Sequence, residues 1–490
     1  MSDFSRKSST ASRRLFLSGS AAAGAGLVAG PLGGAADAAG TAGRQAGSLQ
    51  SGEDWPDGPG RTNKPQPPGD ELRSILAAVD PDRVEAIVRK LVSFGTRHTL
   101  SDQDDPERGI GAARDWIFRE MTSYAARSDG RMTVEKQSYV QPPAERVPVA
   151  TRITNVLATL RGSKHPDRVY VISGHYDSRV TDVLNSTSDA PGADDDASGV
   201  AVSVELARVL ATHEPEATIV LAAVAGEEQG LLGSDHMAGQ FQQAGKDVQG
   251  MFTNDIVGSS TADDGERDPK SLRLFAEGVP TDETEAEAAI RQSVGGENDS
   301  PARQLARFVT EVADNRATGM RVRVIYRRDR FRRGGDQIPF LERGYPAARF
   351  TEPNENFAHQ HQDVRVENGV QFGDLPRFCD FDYIARVARV NAATLWSLAN
   401  APGTPKNVQV LTAELTNDTE LTWDPNQEAD LDHYEVVWRP TIEDDWTHVI
   451  DVGRANRARI NLSKDNVFFG VRAVDRTGMR SPAAFPTPTP

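Results

Sequence analysis

Arg168-Val169-Tyr170-Val171-Ile172-Ser173-Gly174-His175-Tyr176-Asp177-Ser178 opens on an apolar run without alternation and closes on a polar cluster. A short continuous apolar run is the pattern of a strand buried on both faces of a parallel sheet. Thr218 to Val224 repeats it, and Gly250 to Val257 holds a third such strand. Between them, Val200 to Leu210 and Leu231 to Ala244 carry helical spacing. Upstream, Leu72 to Val92 is a helical pattern broken in two at Asp80-Pro81, and Gly109 to Tyr124 places Ile110, Ala113, Ile117 and Met121 on one face. Met132 to Val140 and Ile153 to Leu160 are β-like. Strands alternating with helices predict an α/β fold, a three-layer sandwich around a mainly parallel mixed sheet.

In such sheets functional residues gather at the carboxyl ends of the strands. His175 and Asp177 follow the first buried strand, two apart and therefore on one side of an extended chain. A carboxylate beside an imidazole fixes its tautomer and raises its basicity as a ligand. Gly226-Glu227-Glu228-Gln229-Gly230 follows the second strand, where adjacent side chains point oppositely, one towards a metal and one towards a substrate. Asn254-Asp255 ends the third strand, and Phe357-Ala358-His359-Gln360-His361-Gln362-Asp363 adds two imidazoles. Pro191-Gly192-Ala193-Asp194-Asp195-Asp196-Ala197-Ser198-Gly199 lies between the His and Glu-Glu clusters; alone, it reads as an acidic turn capping the next helix. Calcium held by the three aspartates leaves the histidines unexplained, because Ca²⁺ takes oxygen ligands. The single cysteine, Cys379, excludes an intrachain disulfide, so a metal site must be built from His and carboxylates.

GHYDS, PGADDDASG, GEEQG, NDIVG and a late histidine, in this order across about Asp70 to Asn400, resemble the co-catalytic di-zinc aminopeptidases. The wider family includes glutamate carboxypeptidase and glutaminyl cyclase relatives. The resemblance implies two zinc ions per chain. Asp195 is the bridging carboxylate, His175 and Asp255 complete one shell, and Glu228 with His359 completes the other. Glu227 matches the general base, and Asp177 the carboxylate behind His175. The family's spacing puts the late ligand four residues before an Asp; Asp363 therefore selects His359 and leaves His361 as a loop residue or one that stands behind the ligands. The implied activity is hydrolysis of the N-terminal residue of peptides, since a free α-amine is itself a good zinc ligand. A carboxypeptidase or other amide hydrolase on the same centre is the enzyme alternative. A non-catalytic binding ectodomain, as in relatives that have lost their metals, conflicts with a complete ligand set.

Some relatives carry Tyr just before the last His, where this sequence has Ala358. Gly334-Gly335-Asp336-Gln337 has Gln where close relatives often have His. Arg327, Arg328, Arg330, Arg332 and Arg333 form a basic run, expected to be a solvated strand with local ion pairs. Thr261 to Gly296 is acidic and expected to be a surface excursion near the site rim.

A net charge of -16 over 490 residues argues against nucleic acid as a partner. Residues 1–38 carry Arg13-Arg14, a weakly hydrophobic Ala/Gly run and a small-x-small site at Ala36-Asp37-Ala38, a twin-arginine signal peptide that predicts a secreted, extracellular or periplasmic protein. No apolar run approaches the roughly 20 residues of a membrane anchor. Residues 39–68 read as a disordered linker and 69–401 as the peptidase domain. A helical pattern runs from Leu375 to Leu398 with Pro376 in its first turn. Short strands from Asn407 onward predict an all-β sandwich over 402–485 that resembles a fibronectin type III domain, with Trp423 in its core. A cell-surface or matrix ligand for this module and a purely spacing role are both open on the sequence.

Overall fold

The computed structural model describes residues 58–489; the signal peptide expected over 1–38 and the linker up to residue 57 lie outside the described residues. Among the described residues no helix is long and apolar enough to cross a membrane. The centre is a mixed sheet of eight strands: β1 (Met132–Gln141), β2 (Thr151–Leu160), β3 (His165–His175), β4 (Ala217–Val224), β5 (Asp247–Asn254), β6 (Ser271–Phe275), β7 (Arg321–Ile325) and β8 (Ala347–Thr351). Their order is β1-β2-β4-β3-β5-β8-β6-β7. The inner strands β4, β3, β5 and β8 are parallel, so their carboxyl ends share one edge. β1 and β2 extend the sheet antiparallel on one side, and β6 runs antiparallel to β8 on the other.

The apolar runs are unbroken because both faces are covered. In β3, Tyr170 and Ile172 enter one core while Val169 and Val171 enter the other; in β4, Ile219, Leu221 and Ala223 oppose Val220, Ala222 and Val224. The first face is covered by helices α1 (Asp70–Ala77), α2 (Pro81–Val92), α3 (Ile110–Ala125), α4 (Ala197–Leu210) and the long helix at Phe381–Asn400. The second is covered by α5 (Leu232–Gln243) and the turn of helix at Ile338–Leu341. The break at Asp80-Pro81 is a cap: the Asp80 side chain accepts from the Asp82 amide, and Pro81 takes the first helical position, where no donor is needed.

Several boundaries differ from the sequence expectation. The acidic stretch 261–296 contributes β6 to the sheet, because Leu272 and Leu274 are buried on either side of Arg273. The final helix starts at Phe381, where Asp380 caps it, and Pro376 belongs to a separate 3-10 turn. The last part of the expected linker is ordered. Arg61–Thr62 adds an antiparallel strand to the edge at His448–Asp451, Trp438 donates to the Pro59 carbonyl at 2.8 Å, and Arg472 donates to Asn63 at 2.9 Å. A segment without its own periodicity is recruited by an unpaired sheet edge.

The C-terminal module is two four-stranded sheets around one core that holds Trp423, Tyr434, Trp438 and Val471. It runs past residue 485 to a strand at Thr487–Pro488. Arg168, at the amino end of β3, pairs with Glu428 at 2.9 Å, so the module sits at the opposite end of that strand from His175. Asp299 is clamped between Arg307 at 2.8 Å and Arg439 at 2.7 Å, all three buried, which fastens the module to the helix Pro301–Ala313.

The close seat of α4 on the sheet depends on glycine. A Cβ at Gly199 would run into the Asn254 carbonyl and lie 2.7 Å from both Asp196 carboxylate oxygens. Gly199→Ala is expected to lower stability by about 1–3 kcal/mol, the usual cost of overpacking, read as a shift of the urea midpoint at unchanged m-value.

Candidate metal centre

Three parallel strand ends deliver the site. His175 is the last residue of β3; Glu227 and Glu228 follow β4 through Ala225-Gly226; Asp255 follows β5 directly. The acidic loop comes from the start of α4, and its three aspartates divide the work. Asp196 caps the helix, one oxygen accepting from the Gly199 amide at 2.9 Å and the other from the His175 amide at 2.9 Å. Asp194 accepts from the Gly258 amide at 2.6 Å. Asp195 is left with both oxygens facing imidazoles: Oδ1 lies 3.0 Å from His175 Nε2, and Oδ2 lies 2.8 Å from His361 Nε2. The Asp195–Asp196 peptide bond is cis.

The loop is fixed from beneath. Arg97, fully buried, donates to the carbonyls of Tyr176, Leu91, Pro191 and Gly192. Asp374 accepts from the amides of Asp194 and Asp195 at 2.8–3.0 Å. Burial holds the Arg97 guanidinium down to about 10 despite four neighbouring aspartates. Burial, strengthened by Asp195, pushes the Asp374 carboxyl up to about 7.

Two triads share Asp195. His175, Asp195 and Asp255 form one and Asp195, Glu228 and His361 the other, the ligand atoms of each lying within 4.8 Å of one another. His175 Nδ1 donates to the Asp177 carbonyl at 3.1 Å, leaving the Nε2 lone pair aimed into the first triad. The Asp177 carboxylate, 3.6 Å from the same nitrogen, accepts from the Glu227 and Glu228 amides at 3.3 and 3.1 Å and from Thr99 at 3.0 Å. It therefore ties the His strand end to the Glu-Glu strand end.

Two arginines, Arg349 buried and Arg179 half-buried, back the outer carboxylates. Arg349 lies 2.7 Å from Asp255 Oδ2, and Arg179 donates to Glu228 Oε2 at 2.8 Å. Burial alone would raise Asp255, but Arg349 and His175 outweigh it and hold the carboxyl at about 2. The Glu227 carboxyl is instead raised well above its usual range, first by burial and then, against the pull of His175, by Asp255 and Glu228.

The His359 expectation is corrected. Its ring stacks on Phe378 with centroids 3.6 Å apart, whereas His361 faces Asp195 and Glu228. The backbone explains the exchange: His361 has φ 53°, a left-handed turn end that aims its ring back over the loop. The residue before the site histidine is consequently Gln360, not Ala358; its Oε1 accepts from Arg333 at 3.2 Å and its buried Nε2 has no partner. The other expected site residues, Asp177, His175, Asp195, Glu227, Glu228 and Asp255, are brought to this one edge of the sheet. Arg349, Arg179, Arg97, Asp374 and His361 complete it. Arg349 had a signal, a lone charge in the otherwise apolar run Ala347-Ala348-Arg349-Phe350, which demands a buried anion.

The donor set suits zinc: two imidazoles and three carboxylates without a thiolate. His175 Nε2 and Glu228 Oε1 are buried and have no hydrogen-bond partner of good geometry, although charged atoms approach them at 3.0 Å. Ligand atoms that converge on a common point without bonding one another fit a metal better than a hydrogen-bond network.

The model of peptidase family M28 matches residues 155–368. A probable zinc metalloprotease of Pyrenophora teres f. teres (strain 0-1) is 58% identical over 426 residues, covering 86% of this chain and 88% of that protein. A probable zinc metalloprotease of Leptosphaeria maculans is 58% identical over 421 residues, covering 86% of this chain and 98% of that protein. Among solved structures, the LapA aminopeptidase of Legionella pneumophila aligns with a TM-score of 0.49 at 17% identity, over 69% of this chain and 78% of that one. With relatives this similar over most of both lengths, the chain belongs to peptidase family M28 and is a zinc metallopeptidase.

Proposed function

We propose that the protein is a secreted aminopeptidase with two zinc ions, which removes the N-terminal residue of peptides. The observation that carries this is the Asp195 carboxylate, whose two oxygens face two different imidazoles, each with its own further carboxylate. His175, Asp195 and Asp255 would hold one ion and Asp195, Glu228 and His361 the other. What zinc supplies when bound is Lewis acidity, which lowers the pKa of a water towards neutrality and polarises the scissile carbonyl.

The chain's own residues do the rest. Glu227 takes the proton of the attacking water and delivers it to the leaving amine, and its raised proton affinity suits an acceptor that must later donate. Asp177 positions Glu227 through its backbone amide, so the base is fixed relative to His175. The free α-amine of a peptide is a neutral nitrogen ligand, a group that an internal bond lacks, which restricts attack to the chain's end.

Purified mature protein should cleave aminoacyl chromogenic substrates, spare their N-blocked counterparts, lose activity to chelator and carry two zinc ions by elemental analysis. Cleavage of blocked substrates would overturn the exopeptidase reading, and a single tightly held ion would overturn the shared centre. Glu227→Ala should keep its zinc and lose on the order of 10²–10⁴ in kcat. His361→Ala should lose zinc, whereas His359→Ala should retain both the metal and most of the activity; the reverse order would restore His359 as the ligand. Replacing Arg13-Arg14 by Lys-Lys should leave the protein unexported in a twin-arginine-competent host, with a processed extracellular product as the contrary result.

A further inference from the structure

The segment ahead of α1 carries no periodicity and no apolar run, yet residues 58–66 are laid across two folded bodies. Ordering such a segment costs backbone entropy, which only fixed partners offset. The partners are remote in the chain: Glu435 is 374 positions from Arg61, and Arg480 is 414 from Gln66.

The contacts are close and specific. Gly58 lies against the Trp438 ring, where a Cβ would come within 2.6 Å of a ring carbon. Gly60 has φ 109°, and a Cβ there would lie 2.6 Å from the Val449 carbonyl oxygen. Arg61 reaches the buried Glu435 carboxylate at 2.6 Å, and the other oxygen of Glu435 is held by Arg472 at 2.7 Å. Asn63 joins the two bodies. Its amide nitrogen donates to Glu311 of the helix Pro301–Ala313 at 2.7 Å and to the Trp446 carbonyl of the module at 3.1 Å. Its oxygen accepts from Arg472 at 2.9 Å. Gln66 repeats the bridge: its backbone amide donates to the Glu311 carbonyl at 3.0 Å, and its side-chain oxygen accepts from the Arg480 amide at 3.0 Å.

The connection between the two bodies is sheltered in this arrangement, since Ala401, Pro402, Gly403 and Pro405 are all buried. A single cysteine rules out a covalent tie between distant parts of the chain. We propose that residues 58–66 are a clasp that locks the C-terminal module to the α/β body, making it part of the enzyme's frame rather than a freely tethered binding domain. The Asp299 clamp and the Arg168–Glu428 pair grip the module directly from the α/β body. The clasp adds a third strand of chain that bonds both bodies at once, through Asn63 and Gln66.

The test uses the full chain in three altered forms beside the wild type. Gly60→Val drives a side chain into the Val449 carbonyl, and Arg61→Ala combined with Asn63→Ala removes the bridging bonds. Gly69→Ala, just beyond the clasp, meets nothing within 4 Å and serves as the control. Wild type and control should unfold in a single calorimetric transition and resist a broad-specificity protease at residues 401–405. The two clasp variants should show two transitions and be cut at 401–405 on the order of tenfold faster, the effect on the open fraction of losing one or two buried hydrogen bonds. Their zinc content should match the wild type, because the module sits at the opposite end of β3 from His175. Two transitions already in the wild type, or clasp variants cut no faster than the control, sink the proposal. Should the variants not accumulate, amide hydrogen exchange of the wild type decides. Protection of the Asn63 amide equal to that of strand His448–Asp451 supports the clasp, and exchange of Asn63 within seconds refutes it.

Discussion

Asp195 stands between two imidazoles at 3.0 and 2.8 Å, and most of the surrounding architecture serves to keep it there. A carboxylate on a loop would ordinarily rotate into solvent or be neutralised by a proton. Here its backbone is held by Asp374, the preceding turn by Arg97, and the following residue by the helix it caps. The cap reaches His175 because Asp196 accepts from the His175 amide with its second oxygen. A helix terminus, a strand end and the carboxylate between the two imidazoles are thus one hydrogen-bonded object, and moving α4 would move the centre.

Collecting so many carboxylates in a buried space is expensive unless each has a fixed countercharge. The chain distributes that task. Arg349 takes Asp255, Arg179 takes Glu228, and Arg97 lies among the aspartates of the loop. Each outer ligand therefore has one oxygen bound by a guanidinium and one free to face the centre. Glu227 forms no ion pair with an arginine among the described residues; burial first, and the neighbouring Asp255 and Glu228 next, raise its proton affinity, whereas Arg349 and His175 outweigh burial at Asp255 and lower it.

What the sequence made legible follows from this. Residues placed by the end of a buried strand could be read directly, because the apolar run fixes where the strand stops and the motif follows within a few positions: His175, Glu227, Glu228 and Asp255 all belong to this class. The roles of Asp194 and Asp196 as hydrogen-bonding and capping residues were legible from the start of α4. The late histidine was not. His359 and His361 sit two apart on a turn, and the choice between them rests on a left-handed φ and on Phe378, seventeen positions beyond His361, which takes the ring of His359. No local spacing carries that information. Strand β6 was missed for a related reason: five residues with a central arginine give too short a pattern, and the partner that makes it a strand is β8, more than seventy residues away.

The two ends of the sheet are used differently. At the amino end, charged contacts such as Arg168–Glu428 and the Asp299 clamp hold a second module in place, and the ordered segment at Arg61–Thr62 closes that module's edge. At the carboxyl end the connections carry the centre's side chains, and Asp177 ties the His175 strand end to the Glu227-Glu228 strand end. Buried contacts between modules resist change, since removing one partner strands the other charge. The centre is therefore set by side chains at the carboxyl ends of the strands and at the start of α4, at the opposite end of β3 from the contact that holds the second module, and Asp195 keeps its place between the two histidines.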